Sequence, residues 1–127
     1  MPWEFSNERP IYLQLMEHIR QKIISGTYKP GDKLPAVREL AAEAAVNPNT
    51  MQKALSELEK EGLIYANRTT GRFITDDAHL IEDIKFRAAR EHMHEYLKKM
   101  KNLGFSYQDS ANLLLHLVSD DTEDSPS

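Results

Sequence analysis

The sequence predicts a mostly α-helical fold with one small β-hairpin, and three observations predict it. Apolar residues recur at helical spacing in five segments. The runs with β character, Leu63-Ile64-Tyr65 and Phe73-Ile74-Thr75, are short and close together. Glycine and proline are unevenly placed: four of the five glycines and five of the six prolines precede residue 77. The N-terminal part therefore reads as short, punctuated elements, and the C-terminal part as long, almost unbroken helix.

Residues 1–9 read as extended or irregular, with Trp3 and Phe5 expected to pack onto the domain or onto a partner chain. Pro10 opens the first helix, where its missing N–H costs nothing. Tyr12, Leu15, Met16, Ile19 and Ile23 give that helix one buried face, and Ser25-Gly26 ends it. Lys29-Pro30-Gly31-Asp32 is a turn. A second, short helix follows Leu34-Pro35, with Val37, Leu40, Ala41 and Ala44 inward. Asn47-Pro48 starts the third: asparagine caps the helix and proline takes its first position. It ends at Gly62. Asn67-Arg68-Thr69-Thr70-Gly71 is the hairpin loop.

A long helix is expected from Asp77 to Asn102, with Ile81, Ile84, Ala88, Met93, Tyr96, Leu97 and Met100 as its apolar positions. Leu103-Gly104-Phe105 breaks it, and Ser106 caps the last helix. There Ala111, Leu113, Leu114, Leu115, Leu117 and Val118 spread over most of the circumference. One neighbouring helix cannot cover such a surface, so a second copy of the chain is the expected partner. Residues 120–127, acidic and polar, are expected to be a disordered tail. The division is thus 1–76, 77–119 and 120–127.

Composition narrows the function. The 127 residues suit one domain with an appendage and are too few for a large catalytic fold. The net charge of −4 excludes a grossly basic polyanion binder while allowing a local basic face. There is no cysteine, which excludes disulfides, thiolate catalysis and cysteine-based zinc sites. No apolar stretch is long enough to span a membrane, and the N-terminus has no signal-peptide pattern. A cytoplasmic address is expected.

Three short helices followed by a hairpin is the order of a winged helix-turn-helix, and the third helix sharpens that reading. At 100° per residue, Met51, Ala54, Leu55 and Leu58 share one side, and Asn49, Gln52, Lys53, Ser56 and Lys60 the other. Glu57, Glu59 and Glu61 fall on the flanks and toward the C-terminal end. A helix lying in the DNA major groove needs amides and cations forward and acids turned from phosphate. Asparagine and glutamine can pair with adenine, and lysine can donate to guanine. The plain alternative is a solvated face of an ordinary amphipathic helix.

Residues 10–75 resemble the DNA-binding domain of the GntR family of bacterial transcription regulators. The resemblance lies in Pro10-Ile11-Tyr12-Leu13-Gln14-Leu15, in the run from Ile23 to Pro35, in Arg38-Glu39-Leu40-Ala41 and in Val46-Asn47-Pro48-Asn49-Thr50. It continues through Ala54, Leu58 and Glu61-Gly62-Leu63-Ile64 to Gly71-Arg72-Phe73-Ile74. The short C-terminal segment is similar to the YtrA-type subfamily, whose members end in a small two-helix dimerisation region.

The resemblance implies DNA contacts at Lys33 and Arg38, at Asn47, Asn49 and Thr50 in the turn and helix start, at Gln52, Lys53 and Ser56, and at Arg68, Thr70, Gly71 and Arg72 in the wing. It implies a two-helix interface at Ile84, Ala88, Tyr96, Met100, Leu113, Leu114, Leu117 and Val118. Pro48 and Gln52 stand where relatives carry arginines, which implies a different base preference and a weaker salt dependence. Ala36 stands where serine is usual, so the second helix loses a cap. The wing has Thr69 or Thr70 in place of a first glycine.

The remaining signals are weaker. His92 and His94 diverge on a helix, and His18, His79 and His116 have no ligand-spaced neighbours, so no metal is implied. Lys85, Arg87, Arg90, Lys98, Lys99 and Lys101 read as a solvated face. No phosphate-binding loop, zinc-protease or nucleophile-elbow motif occurs. The chain is read as no enzyme and as needing no cofactor; a small-molecule effector, if one exists, has no motif to define it. The sequence thus points to a dimeric, sequence-specific DNA-binding regulator, a repressor acting on an inverted repeat. Two competing readings stand beside it: a winged-helix protein-interaction module that does not bind DNA, and the DNA-binding piece of a larger pyridoxal-phosphate regulator.

Overall fold

The computed structural model describes residues 3–124, and side chains through residue 121. The elements run α1 (Ile11–Ile24), α2 (Val37–Ala44), α3 (Pro48–Lys60), β1 (Ile64–Asn67), β2 (Gly71–Ile74), α4 (Ala78–Asn102) and α5 (Tyr107–Asp124). The chain divides into two compact units, Met1–Lys85 and Phe86–Ser127, with α4 beginning in the first and ending in the second.

In the first unit α1, α2 and α3 enclose one core. Leu15, Ile19, Leu40, Met51, Ala54, Leu58, Leu63 and Ile74 are all 0% exposed. The helical ones among them are residues whose spacing marked the inner faces of the helices, and Leu63 and Ile74 come from the two β-like runs. The turn between α2 and α3 is closed by Ala45, whose φ of 59° lies in the left-handed region, with Val46 N–H donating to Ala41 O at 2.9 Å. Alanine takes that conformation at a cost of about 1–2 kcal/mol. Asn47 then caps α3, its Oδ1 accepting from Asn49 N–H at 2.7 Å. No side chain caps α2, as the alanine at position 36 requires.

The hairpin is longer than its apolar content suggests. β1 and β2 pair antiparallel as Ile64↔Ile74, Tyr65↔Phe73, Ala66↔Arg72 and Asn67↔Gly71. The loop therefore shrinks to Arg68-Thr69-Thr70. Asn67 Oδ1 shapes it by accepting from Thr69 N–H and from Thr69 Oγ1. On the other side of β2, Lys33 bridges to Phe73, Leu34 N–H donates to Arg72 O, and Ile74 N–H donates to Asp32 O. Periodicity assigns the Lys33-Leu34 segment no strand, yet it is a third rail of the wing.

The N-terminal arm folds onto α1. Gln14 clamps it, accepting from Ser6 N–H and donating to Ser6 O and Arg9 O, each at 2.8 Å. Trp3 stacks on His18 at 4.0 Å, and the Lys22 ammonium sits 4.6 Å from the Trp3 ring. Burial, with the Lys22 charge, holds the His18 pKa below its ordinary value of 6.5 against a smaller opposing pull from Glu43. Trp3 and Phe5 thus pack on the domain itself.

In the second unit Tyr96 Oη donates to Ser110 O at 2.6 Å, Ser110 is 0% exposed, and Ser106 Oγ accepts from Asp109 N–H as the α5 cap. Two boundaries differ from expectation. Ile84 belongs to the core of the first unit, 8% exposed, because it lies one turn beyond Ile81 on the face that packs there. It is not available to a dimer interface. And α5 continues to Asp124, through residues expected to be disordered; its carbonyl ladder extends over a run that offers no proline or glycine to stop it. The last part of that tail, 125–127, lies outside the described residues.

Candidate nucleic-acid interface

α3 is the centre of the site. Its inner stripe, Met51, Ala54, Leu55 and Leu58, is at most 1% exposed, and that locks the helix about its own axis. Asn49, Gln52 and Lys53 are held outward and exposed, with Ser56 half-buried beside them. Gln52 Nε2 donates to Ser56 Oγ at 3.3 Å, a contact one helical turn apart that aligns the two side chains. The Lys53 ammonium lies 4.0 Å from the Tyr12 ring, so α1 steers it by a cation–π contact. Asn47 spends its carbonyl oxygen on the cap, and Thr50 is half-buried, its N–H donating to Asn47 O.

The acids of α3 and of its C-cap are paired within the chain. Glu61 receives a bidentate Arg20 at 2.6 Å, Glu57 pairs with Lys60 at 3.0 Å, and Glu59 pairs with Arg72 at 2.5 Å. Glu59 needs this most. At 100° per residue it lies about 20° around the axis from Gln52, two turns further on, nearer the polar face than a flank. Arg38, Lys33 and Arg68 are exposed and make no ion pair among the described residues.

The wing and α2 meet across a shallow groove lined by Lys33, Leu34, Pro35, Ala36, Val37, Glu39, Thr70, Gly71 and Arg72. Gly71 has a φ of +112°, and a Cβ there would stand 3.3 Å from Lys33 Cε, so the tip depends on glycine at this position. Lys33, Thr70, Gly71 and Arg72 therefore share one surface. Arg72 occupies it differently from expectation. Its guanidinium is turned toward α3, with the side chain 19% exposed, rather than outward toward solvent. The cause is strand alternation: β2 starts two residues earlier than its apolar run, which puts Arg72 on the same face as Ile74. Helical spacing places Glu59 on a flank of α3 and Tyr12 on the inner face of α1; their contacts with Arg72 and Lys53 are what it did not reach. For Glu59 the helical angle and the extended strand were the available signals.

Among the described residues no group of three or more His, Cys, Asp or Glu could hold a metal ion, and no helix is long and apolar enough to cross a membrane.

A polar helix face, an uncharged helix start and a glycine-hinged hairpin on a three-helix core define a winged-helix DNA-binding protein. Residues 11–74 match the bacterial regulatory proteins of the gntR family, and the chain belongs to that family. It is 38% identical to the HTH-type transcriptional regulator YhcF of Bacillus subtilis over 84% of this chain and 88% of that protein. It is 48% identical to the HTH-type transcriptional repressor YtrA of the same organism, over 54% of this chain and 53% of YtrA. A GntR family transcriptional regulator from Listeria monocytogenes superposes with a TM-score of 0.83 at 37% identity, covering 88% of this chain and 98% of that one. The AraR DNA-binding domain in complex with operator ORR3 superposes at 0.52 with 31% identity, over 59% of this chain and 90% of that one. The protein is a transcription regulator of a family that is not enzymatic.

Proposed function

We propose that the chain is a sequence-specific repressor that binds an inverted-repeat operator as a homodimer in the cytoplasm. α3 lies in the major groove, with Asn49, Gln52 and Lys53 toward base edges. Arg38, Lys33 and the wing tip, Arg68 and Thr70, hold the backbone and the adjacent minor groove. The observation that carries this reading is the α3 face itself: exposed amides and a lysine on one side, with every acid of the helix engaged by a cation of the same chain. That repressors such as YtrA and the operator-bound AraR domain are similar supports it. The second unit supplies the dimer contact, through Leu113, Leu114, Leu117 and Val118 of α5 with Ala88, Tyr96 and Met100 of α4. No cofactor enters.

The test is selection of duplexes from a random library, followed by salt-titrated binding of the selected and random DNA. The selected sites should be inverted repeats with half-sites about one helical turn apart. Asn49→Ala and Gln52→Ala should each reduce discrimination by about 1–3 kcal/mol while leaving the fold intact. Absence of any selected sequence would favour the protein-interaction module instead.

A further inference from the structure

Arg72 is held from three directions. Its backbone carbonyl accepts from Leu34 N–H at 2.9 Å, its strand pairs it with Ala66, and its Nε donates to Glu59 Oε1. Ile64 and Ile74, on the same sheet face, are 1% and 0% exposed. The pair therefore sits at the edge of the core, where the wing leaves the domain, with the two side chains 19% and 30% exposed. Strands of four residues and a three-residue tip make a short lever. A small tilt at its base displaces Arg68 and Thr70 relative to α3. The pair also covers the α3 carboxylate nearest Gln52, which would otherwise face phosphate.

We infer that Glu59 and Arg72 are positioning residues: their ion pair fixes the wing against the recognition helix, so that α3 and the wing tip read DNA in one register, and Arg72 is not itself a phosphate contact. This rests on the DNA-reading function proposed above. A phosphate-contacting arginine would be exposed, as Arg68 and Arg38 are. Arg72 instead spends its donor on a partner thirteen residues away on another element. The pairing is reciprocal in geometry, so either member can be removed, or the two exchanged, and the consequence read.

The experiment uses the full chain, its selected duplex and a random duplex of equal length. The variants are Glu59→Gln, Arg72→Gln and the exchange Glu59→Arg with Arg72→Glu. Each single variant should lose roughly tenfold in preference for the selected duplex, the range of coupling between contacting residues. Arg72→Gln should keep the parent's slope of log affinity against log salt. Amide exchange across 64–74, measured without DNA, should accelerate in both single variants. The exchange variant should recover preference and protection together, which an arginine touching phosphate could not do with glutamate in its place. A fall in slope of about 0.9 for Arg72→Gln would mark a lost phosphate contact and overturn the inference. So would unchanged preference and unchanged hairpin exchange in Glu59→Gln. If the parent selects no sequence, the proposed function fails, while hairpin exchange still decides whether the pair holds the wing.

Discussion

The two compact units treat their apolar residues in opposite ways. In the first, every large aliphatic on an inner helix face is covered by its own chain. In the second, Leu113, Leu114, Leu115, Leu117 and Val118 are 42–65% exposed, and so are Phe86 and Met93 at 57% and 54%. Soluble monomers rarely expose so many large apolar residues on one short helix without a use for them. The first unit covers its apolar residues within a single chain; the second leaves them open, which is what the proposed dimer would cover. Sequence periodicity shows the same contrast. A helix with one stripe needs one neighbour, whereas α5, apolar nearly all round, needs more neighbours than α4 can supply.

The sharpest way to break this contrast is to charge the surface that α5 exposes. Leu117→Asp should give a monomer with an intact winged unit, by sedimentation and circular dichroism. It should also lose about 100- to 10,000-fold in operator affinity, as two linked half-sites become one. A parent protein that sediments as a stable monomer at micromolar concentration would undo the comparison altogether. The matching change in the first unit is Leu58→Ala. It should cost about 2–5 kcal/mol in chemical unfolding, because the side chain is wholly buried and leaves a cavity, yet the association state should not change.

Arg38→Ala sharpens the contrast from the DNA side. It should weaken selected and random duplexes alike, reduce the salt slope by about 1, and leave dimerisation untouched. The smallest expected effect is at His18. Its folded pKa lies below 6.5 through burial and the Lys22 charge, so the unfolded chain takes up the proton first on acidification. The neutral imidazole's contribution to stability is therefore complete above about pH 6.5 and is lost as pH falls through the lower folded value. Urea midpoints between pH 7.5 and 5.5 should drop less in His18→Gln than in the parent.

Much of the first unit was legible because its signals are local. The Asn47-Pro48 helix start and the four-residue stripe of α3 are written within one or two turns of chain, and each stands where its residues place it; the Ser106 cap of the second unit is local in the same way. The wing was less legible. Its strands include Ala66, Asn67, Gly71 and Arg72, which have little β character of their own. They pair because Ile64 and Ile74 anchor the register from the core. With the strand read as starting at Phe73, Arg72 lay between loop and strand and its direction could not be read. Ile84 was misplaced for a related reason: periodicity shows that a helix face is apolar, not which of two cores receives it. The α5 terminus shows the limit of composition, since an acidic, polar run can still continue a helix that is already nucleated.

Ala45 has one more consequence. Its left-handed backbone joins α2 to α3 and is held there although its methyl group disfavours it. Glycine would relieve about 1–2 kcal/mol of that strain, against about 0.4–1 kcal/mol of extra freedom in the unfolded chain. The turn thus stores a reserve that a single substitution releases without touching the α3 face. Ala45→Gly is in that sense a general suppressor. Placed behind a damaged core such as Leu58→Ala, it should recover part of the lost stability, and it would allow the recognition helix to explore substitutions that the parent domain is too fragile to carry.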